Sequence, residues 1–174
     1  EVFVPSGLAA IICSTMPVIV ILINLTINRS ELPNWIIVLG VITGLAGILL
    51  VFSEYLADFA NPNYRMGIIL IFVATLTWAI GSMLTKRKNY DTNPFLNAGM
   101  QMFLGGIFCL PFSFVFDDLS QVVVSSEVVL SLSYLIIMGS VVAFSMYTYV
   151  LAKLPMTIAS LYAYINPLVA VVLG

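Results

Sequence analysis

Six long apolar stretches, nearly free of charged residues, constrain this 174-residue chain more than any other feature. Most of them approach the ~20 residues that an α-helix needs to cross ~30 Å of hydrocarbon. Only helices and closed barrels satisfy all their backbone hydrogen bonds in lipid, and these stretches lack the alternation of barrel strands. The predicted fold is therefore an all-α integral membrane protein, a polytopic helical bundle with transmembrane segments at 8–27, 35–52, 66–85, 95–116, 128–151 and 158–174.

Composition excludes several classes of function. Charged residues make up 8% of the chain, against about 25% in soluble domains, so the chain cannot cover itself with a hydrated surface. Histidine is absent, and the single cationic run at 86–88 is too short for a nucleic-acid patch. Cys13 and Cys109 lie in apolar stretches and are predicted to be buried rather than paired. We expect no metal, no cofactor and no nucleic-acid partner.

Charges in the loops alternate in sign along the chain. The odd-numbered loops hold five of the six Lys and Arg residues, and only Arg65 lies in an even-numbered loop. Six of the eight acidic residues lie on the side of Arg65. Because Lys and Arg accumulate in cytoplasmic loops, the odd-numbered loops are predicted to be cytoplasmic.

One phrase occurs twice in the sequence. The stretches "VPSGLAAIICSTMP" at 4–17 and "LPMTIASLYAYINP" at 154–167 each hold two prolines twelve positions apart, at an offset of 150 residues. Five predicted segments fall within one such period, so the second copy enters the membrane from the opposite side. This pattern is typical of the inverted-topology repeats of secondary transporters. The alternative is that two membrane helices share prolines by chance.

Three longer stretches carry a family resemblance. They are "SGLAAIICSTMPVIVILINLTINRSELPNWIIVLGVITGLAGILLVF", "GIILIFVATLTWAIGSMLTKRK" and "YLIIMGSVVAFSMYTYVLAKLPMTIASLYAYINPLVAVVLG". In this order they are similar to the fourth and fifth helices, the start of the second half, and the eighth and ninth helices of the EamA-type transporters, in the drug/metabolite transporter superfamily. Glu31 falls where that family usually has a Gly-Glu pair, although Ser30 precedes it here.

The resemblance implies a fold and a place for this chain within it. The family's fold has ten helices in two inverted halves around a central cavity, and the chain is expected to be a fragment that covers roughly the fourth to the ninth. Residues 1–60 are then the C-terminal part of the first EamA repeat, and residues 61–174 are the second repeat, truncated before its last helix. The expected location is the cell membrane, as a multi-pass protein of a prokaryotic inner membrane.

Two prolines, Pro17 and Pro167, are expected near the middle of the membrane. Each removes an i→i−4 hydrogen bond, which frees the carbonyl of Cys13 or Ala163 and kinks the helix. The kinks are either static features that shape the bundle or paired hinges, one in each half. Both interpretations stay open, and the hinge is the one with a functional consequence.

Local patterns also predict helix ends and helix packing. Asn93 precedes Pro94 and can cap a helix, and Ser125 or Ser126 can cap the fifth segment, with Glu127 in its first turn. Small residues on two segments are predicted to let helix backbones approach each other. They are Gly40, Gly44 and Gly47 on the second segment, and Ala98, Gly99, Gly105 and Gly106 on the fourth.

Polar and aromatic residues within the segments are the candidates for solute contact. Asn and Gln in hydrocarbon need partners, so they face protein or a wet cavity. The wider set includes Ser14, Thr15 and Asn97. The predicted solute-binding residues, expected to line a central cavity, are Trp78, Gln101, Tyr147, Tyr162 and Asn166. The alternative for each is an interhelical hydrogen bond, or for Trp and Tyr a place in the interfacial aromatic belt.

The pattern as a whole favours transport over catalysis. Buried nucleophile–base pairs and carboxylate pairs are missing from the segments, so we expect no enzyme. No Lys, Arg, Asp or Glu falls in the middle of a segment, which favours a neutral, zwitterionic or amphipathic solute. We predict a secondary transporter that exports small metabolites by alternating access between two inverted halves. The alternative is a non-transporting membrane scaffold or assembly protein.

The charge alternation predicts the sidedness of the loops. Lys86, Arg87, Lys88 and Lys153 are expected in the cytoplasm, and Asp117 and Asp118 on the other side. Single cysteines introduced as Asn89→Cys and Ser120→Cys, in a background without Cys13 and Cys109, should therefore react with an impermeant thiol reagent from opposite sides. Labelling of both from the same side would overturn this topology.

Overall fold

The chain is helical wherever the structure describes it. A computed structural model describes residues 4–27, 33–88, 93–116 and 124–173, and over these ranges every regular element is a helix, as the sequence predicts. The chain divides into two compact units. The first unit comprises Glu1–Leu84 and Leu154–Gly174, and the second unit comprises Thr85–Lys153.

The helices follow the predicted segments closely. In chain order they are α1 (Ser6–Cys13), α2 (Met16–Ile27), α3 (Trp35–Val51), α4 (Arg65–Lys88), α5 (Pro94–Phe116), α6 (Ser126–Tyr134), α7 (Ser145–Lys153), α8 (Met156–Ala159) and α9 (Tyr162–Leu173). Two 3₁₀ segments, Ser53–Ala60 and Pro62–Tyr64, join α3 to α4. A π-helical segment, Leu135–Phe144, joins α6 to α7.

Several loop positions used in the topology prediction lie outside the described residues. They are Glu1, Arg29, Ser30, Glu31, Asn89, Asp91, Asp117, Asp118 and Ser120, together with Gly174 and the side chain of Lys88. The sidedness of the loops therefore stays a prediction.

Four runs among the described residues are long and apolar enough to cross a membrane: Ser6–Thr26, Pro62–Arg87, Pro94–Phe116 and Ser126–Lys153. The second predicted segment is Trp35–Val51, after which the chain turns by 84° into the 3₁₀ segment Ser53–Ala60, so the two count as a fifth span only if taken together. The sixth is a shorter apolar run, Met156–Val172. The chain is thus a polytopic α-helical membrane protein.

The first unit packs around Tyr164 of α9. Its ring lies in a buried cluster with Ile11, Val41 and Ile48, and its hydroxyl donates a hydrogen bond of 2.9 Å to the Val41 carbonyl of α3. A Cβ built on Gly44 would lie 2.7 Å from the Tyr164 ring, a distance that real Cβ atoms do not show. The absence of a side chain at Gly44 is therefore what lets α3 and α9 meet.

The packing role predicted for the other glycines is not supported. A Cβ added at any of Gly40, Gly47, Gly99, Gly105 or Gly106 meets no atom of the described chain within 4 Å. Gly7, which was not singled out, is a packing glycine, because its added Cβ would meet the Tyr55 ring of the 3₁₀ segment. The regular spacing of small residues thus identified the close helix contact at Gly44 but not the one at Gly7.

The second unit is built from α5, α6, the π-helical segment and α7. Two predicted caps are confirmed: the Asn93 side chain accepts from the Phe95 N–H at 3.0 Å, and Ser125 accepts from the Val128 N–H at 3.3 Å. The π-helical segment within the 126–153 run was not anticipated. π-Helices are rare, and those that do occur are often found at functional sites. This segment therefore distinguishes the 126–153 run from a regular membrane α-helix.

The predicted burial of the two cysteines is wrong. Cys13 and Cys109 are both exposed, and neither forms a disulfide. The physical reason is that an apolar side chain in a membrane helix is as well solvated by lipid as by protein. An apolar stretch therefore predicts a place in the bilayer but not a place in the protein core.

We expect Gly44→Leu to lower the free energy of unfolding by about 1–3 kcal/mol, because the new side chain must displace the Tyr164 ring. Gly47→Leu on the same helix is the matched control, since its added atoms meet open space. Thermal unfolding of the two variants in detergent measures the difference. A Gly44→Leu protein that is as stable as the control, but selects different solutes, would contradict the packing role.

Candidate functional site

In the first unit, the segment that holds the first copy of the phrase and continues through α2 crosses the stretch 154–167, which holds the second copy. Three polar contacts join them, each 3.4 Å long: Ser14 Oγ to the Ala163 carbonyl, the Tyr162 hydroxyl to Met16 Sδ, and the Asn24 amide nitrogen to Thr157 Oγ1. The residue number rises along α1 and α2 as it falls along the partner stretch, so the two run antiparallel. We define this set of contacts as the crossing.

Each stretch is interrupted where the crossing lies. Ser14 and Thr15 separate α1 from α2, and the Ser14 hydroxyl donates 2.7 Å to the Ala10 carbonyl. Thr15 Oγ1 donates 2.6 Å to the Ile12 carbonyl. In the partner stretch Ser160 Oγ donates 2.8 Å to the Thr157 carbonyl. Hydroxyl groups thus bind carbonyls of the preceding turn at both interruptions, in addition to the backbone N–H donors that the Ala10 and Ile12 carbonyls keep.

The two prolines occupy different positions relative to the interruptions in their stretches. Pro17 lies in the first turn of α2, directly after the interruption, where its missing N–H costs no helical bond. Pro167 lies within α9, and the interruption falls earlier, between α8 and α9. Pro167 offers no N–H to the Ala163 carbonyl, and the fully buried Ser14 hydroxyl lies 3.4 Å from that oxygen. Whether either proline acts as a hinge stays a prediction.

Asn24 is the most deeply buried amide of the crossing. Its side chain is 1% exposed, and its Oδ1 atom has no hydrogen-bond partner among the residues that the structure describes. Thr157, which accepts from the amide nitrogen, and Ser160 are equally buried. An unpaired buried polar atom costs about 1–3 kcal/mol. Asn24 therefore carries an acceptor that packing alone does not explain.

Asn24, Leu25 and Thr26 match the N-glycosylation pattern, and Asn24 is not among the residues predicted to contact a solute. Its burial excludes a glycan on this amide. The signal that would have found it is its position inside an apolar stretch, where an amide needs a partner. Tyr164 was also missed, because a tyrosine near a segment end is equally typical of the interfacial belt.

The five predicted solute-binding residues are divided between the units. Trp78, Tyr162 and Asn166 belong to the first unit, and Gln101 and Tyr147 belong to the second. Tyr162 is half-buried and takes part in the crossing, and Asn166, one helical turn further on, is exposed. Trp78 is 46% exposed on α4. Their convergence on one cavity stays a prediction.

In the second unit Gln101 and Tyr147 are both half-buried. The Gln101 Oε1 atom accepts a hydrogen bond of 3.3 Å from the Thr85 hydroxyl. The Tyr147 ring lies 6.3 Å from the Phe144 ring, centroid to centroid. The interhelical hydrogen bond that was the alternative for Gln101 is thus present, and it leaves the amide NH₂ group able to donate elsewhere.

Among the described residues no group of three or more His, Cys, Asp or Glu side chains could hold a metal ion. The polar groups at the crossing are hydroxyls, amides and one thioether. Hydroxyls and amides both donate and accept hydrogen bonds, and a thioether is a weak acceptor.

Comparison with known proteins gives a family match. The profile of the EamA-like transporter family matches residues 65–174. No solved structure gives a significant match.

Several curated proteins align over nearly the whole chain. An Escherichia coli K12 protein named "Uncharacterized inner membrane transporter YedA" is 30% identical over 172 residues, covering 98% of this chain and 54% of its own length. "Protein PecM" of Dickeya dadantii is 31% identical and "Uncharacterized transporter YoaV" of Bacillus subtilis 24%, covering 98% and 99% of this chain and 56% and 58% of their own lengths. The chain therefore spans about half the length of the curated relatives it matches.

We expect Asn24→Leu to change the free energy of unfolding by no more than about 1 kcal/mol, because it removes a buried acceptor that has no partner but also removes the donor to the buried Thr157 hydroxyl. The matched control is Thr26→Val on the exposed face of the same helix, whose hydroxyl bonds only carbonyls of its own helix. Thermal unfolding in detergent compares the two. A loss of stability well beyond that of the control would show that the Asn24 amide holds the helices together.

Proposed function

The chain belongs to the EamA-like transporter family, and from this premise we propose that the full-length protein is a secondary carrier that exports small neutral, zwitterionic or amphipathic metabolites across the inner membrane. Family membership and the names of the relatives indicate a transporter rather than an enzyme. Residues 1–60 would supply the end of one inverted repeat, and residues 61–174 most of the other.

The observation that carries this proposal is the crossing of α1 and α2 with α8 and α9. The crossing joins the two copies of the repeated phrase, which is where inverted-repeat carriers place their discontinuous helices. Two of its contacts, Ser14 to Ala163 and Asn24 to Thr157, are at the long limit for hydrogen bonds at 3.4 Å, and the third is to a thioether sulfur, which is a weak acceptor. Interhelical hydrogen bonds in membranes contribute about 0.6 kcal/mol each on average, so contacts this long can separate at small cost.

Interruptions on both sides of the crossing support alternating access. At Ser14–Thr15 and at Ser160–Leu161 the backbone leaves the regular helix while hydroxyl groups bind the carbonyls. Non-helical backbone at membrane depth is tolerated where it is buried in protein, and Ser14 and Ser160 are both buried. Rocking of one repeat against the other would use these two interruptions as its flexible points.

The charge distribution supports the class of solute. Within the described membrane helices every Lys, Arg, Asp and Glu lies at an end of a helical run. A binding site for a strongly anionic or cationic solute usually supplies an opposite charge inside the protein. Hydroxyls, amides and aromatic rings instead suit solutes of mixed polarity.

We assign solute contact to Trp78, Gln101, Tyr147, Tyr162 and Asn166. Tyr162 and Asn166 are four residues apart, so they lie on one face of α9. The exposure of Asn166 and the half-burial of Tyr162 support their access to a solute. Gln101 and Asn166 offer both donors and acceptors, and Trp78 offers an aromatic face with one N–H donor.

A thermal-shift screen of the purified full-length protein tests the function. A bound solute stabilises the folded state by about 2.7 kcal/mol at a concentration of 100 Kd, so one member of a panel of neutral, zwitterionic and amphipathic metabolites should raise the Tm. Vesicles that contain the reconstituted protein should then show counterflow of that solute. Stabilisation by charged solutes alone would refute the solute class, and stabilisation without counterflow would favour a scaffold.

Conservative substitutions separate solute contact from helix packing. We expect Gln101→Leu and Asn166→Leu to lower transport of the identified solute at least about tenfold, the effect of losing ~1.4 kcal/mol of binding, with little change in Tm. Met100→Leu and Ile165→Leu, at exposed neighbouring positions, are the matched controls. Lower stability with unchanged transport per folded molecule would leave these amides a structural role only.

A further inference from the structure

Three cationic side chains gather at one end of the second unit. The Lys86 ammonium donates 3.4 Å to the Leu151 carbonyl, which brings the end of α4 to the last turn of α7. Arg87 is the next residue on α4, and Lys153 lies two residues beyond Leu151; both are exposed. We call Lys86, Arg87 and Lys153 the basic cluster. The positive-inside prediction places it at the cytoplasmic face.

An open apolar groove lies between α5 and the 140–146 stretch of the same unit. Its volume is about 560 Å³, within the range of ligand pockets. Large apolar side chains form most of its walls, and Ser140 and Ser145 are the polar residues on its lining. The residues that define its walls and floor are Phe95, Gly99, Met102, Val141, Val142 and Met146.

The groove and the basic cluster share their helices. Thr148 Oγ1 of α7 donates 3.2 Å to the Pro94 carbonyl, and the Phe95 and Tyr149 rings stack 6.1 Å apart, which fixes α5 and α7 side by side. The groove begins at the level of Phe95, and Leu151 lies only two residues beyond Tyr149. The cationic side chains therefore lie about one helical turn beyond the outer end of the groove.

We propose that the second unit binds an anionic phospholipid of the cytoplasmic leaflet, with the phosphate at the basic cluster and one acyl chain in the groove. From Phe95 to Met102 the groove descends seven residues, or about 10 Å at 1.5 Å per residue. This is most of the half-thickness of a ~30 Å hydrocarbon layer. An acyl chain entering below its phosphate would therefore run along the groove in its own leaflet.

Charge complementarity selects the anionic lipid. Basic clusters beside membrane helices attract anionic head groups, at about fivefold in affinity for each Lys or Arg. A zwitterionic head group carries its own cation and gains less from the cluster. This inference is independent of the transported solute.

Binding of phosphatidylglycerol and phosphatidylcholine to the delipidated full-length protein tests the proposal. Native mass spectrometry and thermal unfolding in neutral detergent should show tighter binding and a larger rise in Tm with phosphatidylglycerol. The triple variant Lys86→Gln, Arg87→Gln, Lys153→Gln should bind it about a hundredfold more weakly. Arg65→Gln, which removes a cation from the first unit, is the control. If the triple variant does not fold, the single variant Lys153→Gln at an exposed position replaces it, and it should bind phosphatidylglycerol about fivefold more weakly.

A groove variant separates the acyl chain from the head group. Gly99 lines the groove and a Cβ added there meets no atom of the described chain within 4 Å, so Gly99→Leu directs its side chain into the groove; Gly105→Leu is its control on the same helix, outside the groove lining. Only Gly99→Leu should weaken phosphatidylglycerol binding. Equal binding of phosphatidylglycerol and phosphatidylcholine would overturn the proposed role of the basic cluster. Equal binding of glycerol phosphate and phosphatidylglycerol would overturn the proposed place of the acyl chain. So would a fall in Tm of Gly99→Leu in the absence of lipid, because that result would show that protein occupies the groove.

Discussion

Every backbone N–H and C=O group inside a membrane must find its hydrogen-bond partner within the protein, and this chain is built around that requirement. It makes each apolar stretch a helix. It also decides what happens where a helix is broken, since the carbonyls released at the break still need donors. Near the two breaks Ser14, Thr15 and Ser160 donate from their hydroxyls to carbonyls of the preceding turn, and the carbonyls of Ala10 and Ile12 keep a backbone N–H donor as well. The two interruptions are therefore stable features of the fold rather than defects in it.

In lipid, close packing rather than the hydrophobic effect drives the association of helices. Helices there gain little by hiding apolar surface, so contact depends on shape. The Tyr164 ring fits over Gly44, and its hydroxyl donates to the Val41 carbonyl. The large side chain of Tyr164 and the lack of a side chain at Gly44 together join α9 to α3. The Tyr55 ring and Gly7 repeat the arrangement. In both cases an aromatic ring meets a backbone that has no Cβ.

The crossing combines these rigid contacts with weaker ones. Beside the firm anchor of Tyr164 lie three contacts of 3.4 Å and the unpaired Asn24 oxygen. A protein optimised only for stability would pair that oxygen or replace it with an apolar atom. Local departures from optimal packing are characteristic of functional regions, and here they lie where the two copies of the phrase meet. Tight anchoring and weaker contacts thus occur on the same helices.

The sequence by itself determined that the chain is an all-α membrane protein, where its helices lie to within a few residues, and which family it belongs to. These properties depend on hydrophobicity and local caps, such as Asn93 and Ser125, which are visible along the chain. Tertiary structure alone decided that Gly44 packs while Gly40 and Gly47 do not, that Asn24 is buried while Asn166 is exposed, and that the second interruption precedes Pro167 by several residues. The reason is that lipid and protein interior are equally apolar. A membrane helix therefore does not show in its sequence which face meets another helix, and only the packed structure assigns a role to each polar or small residue.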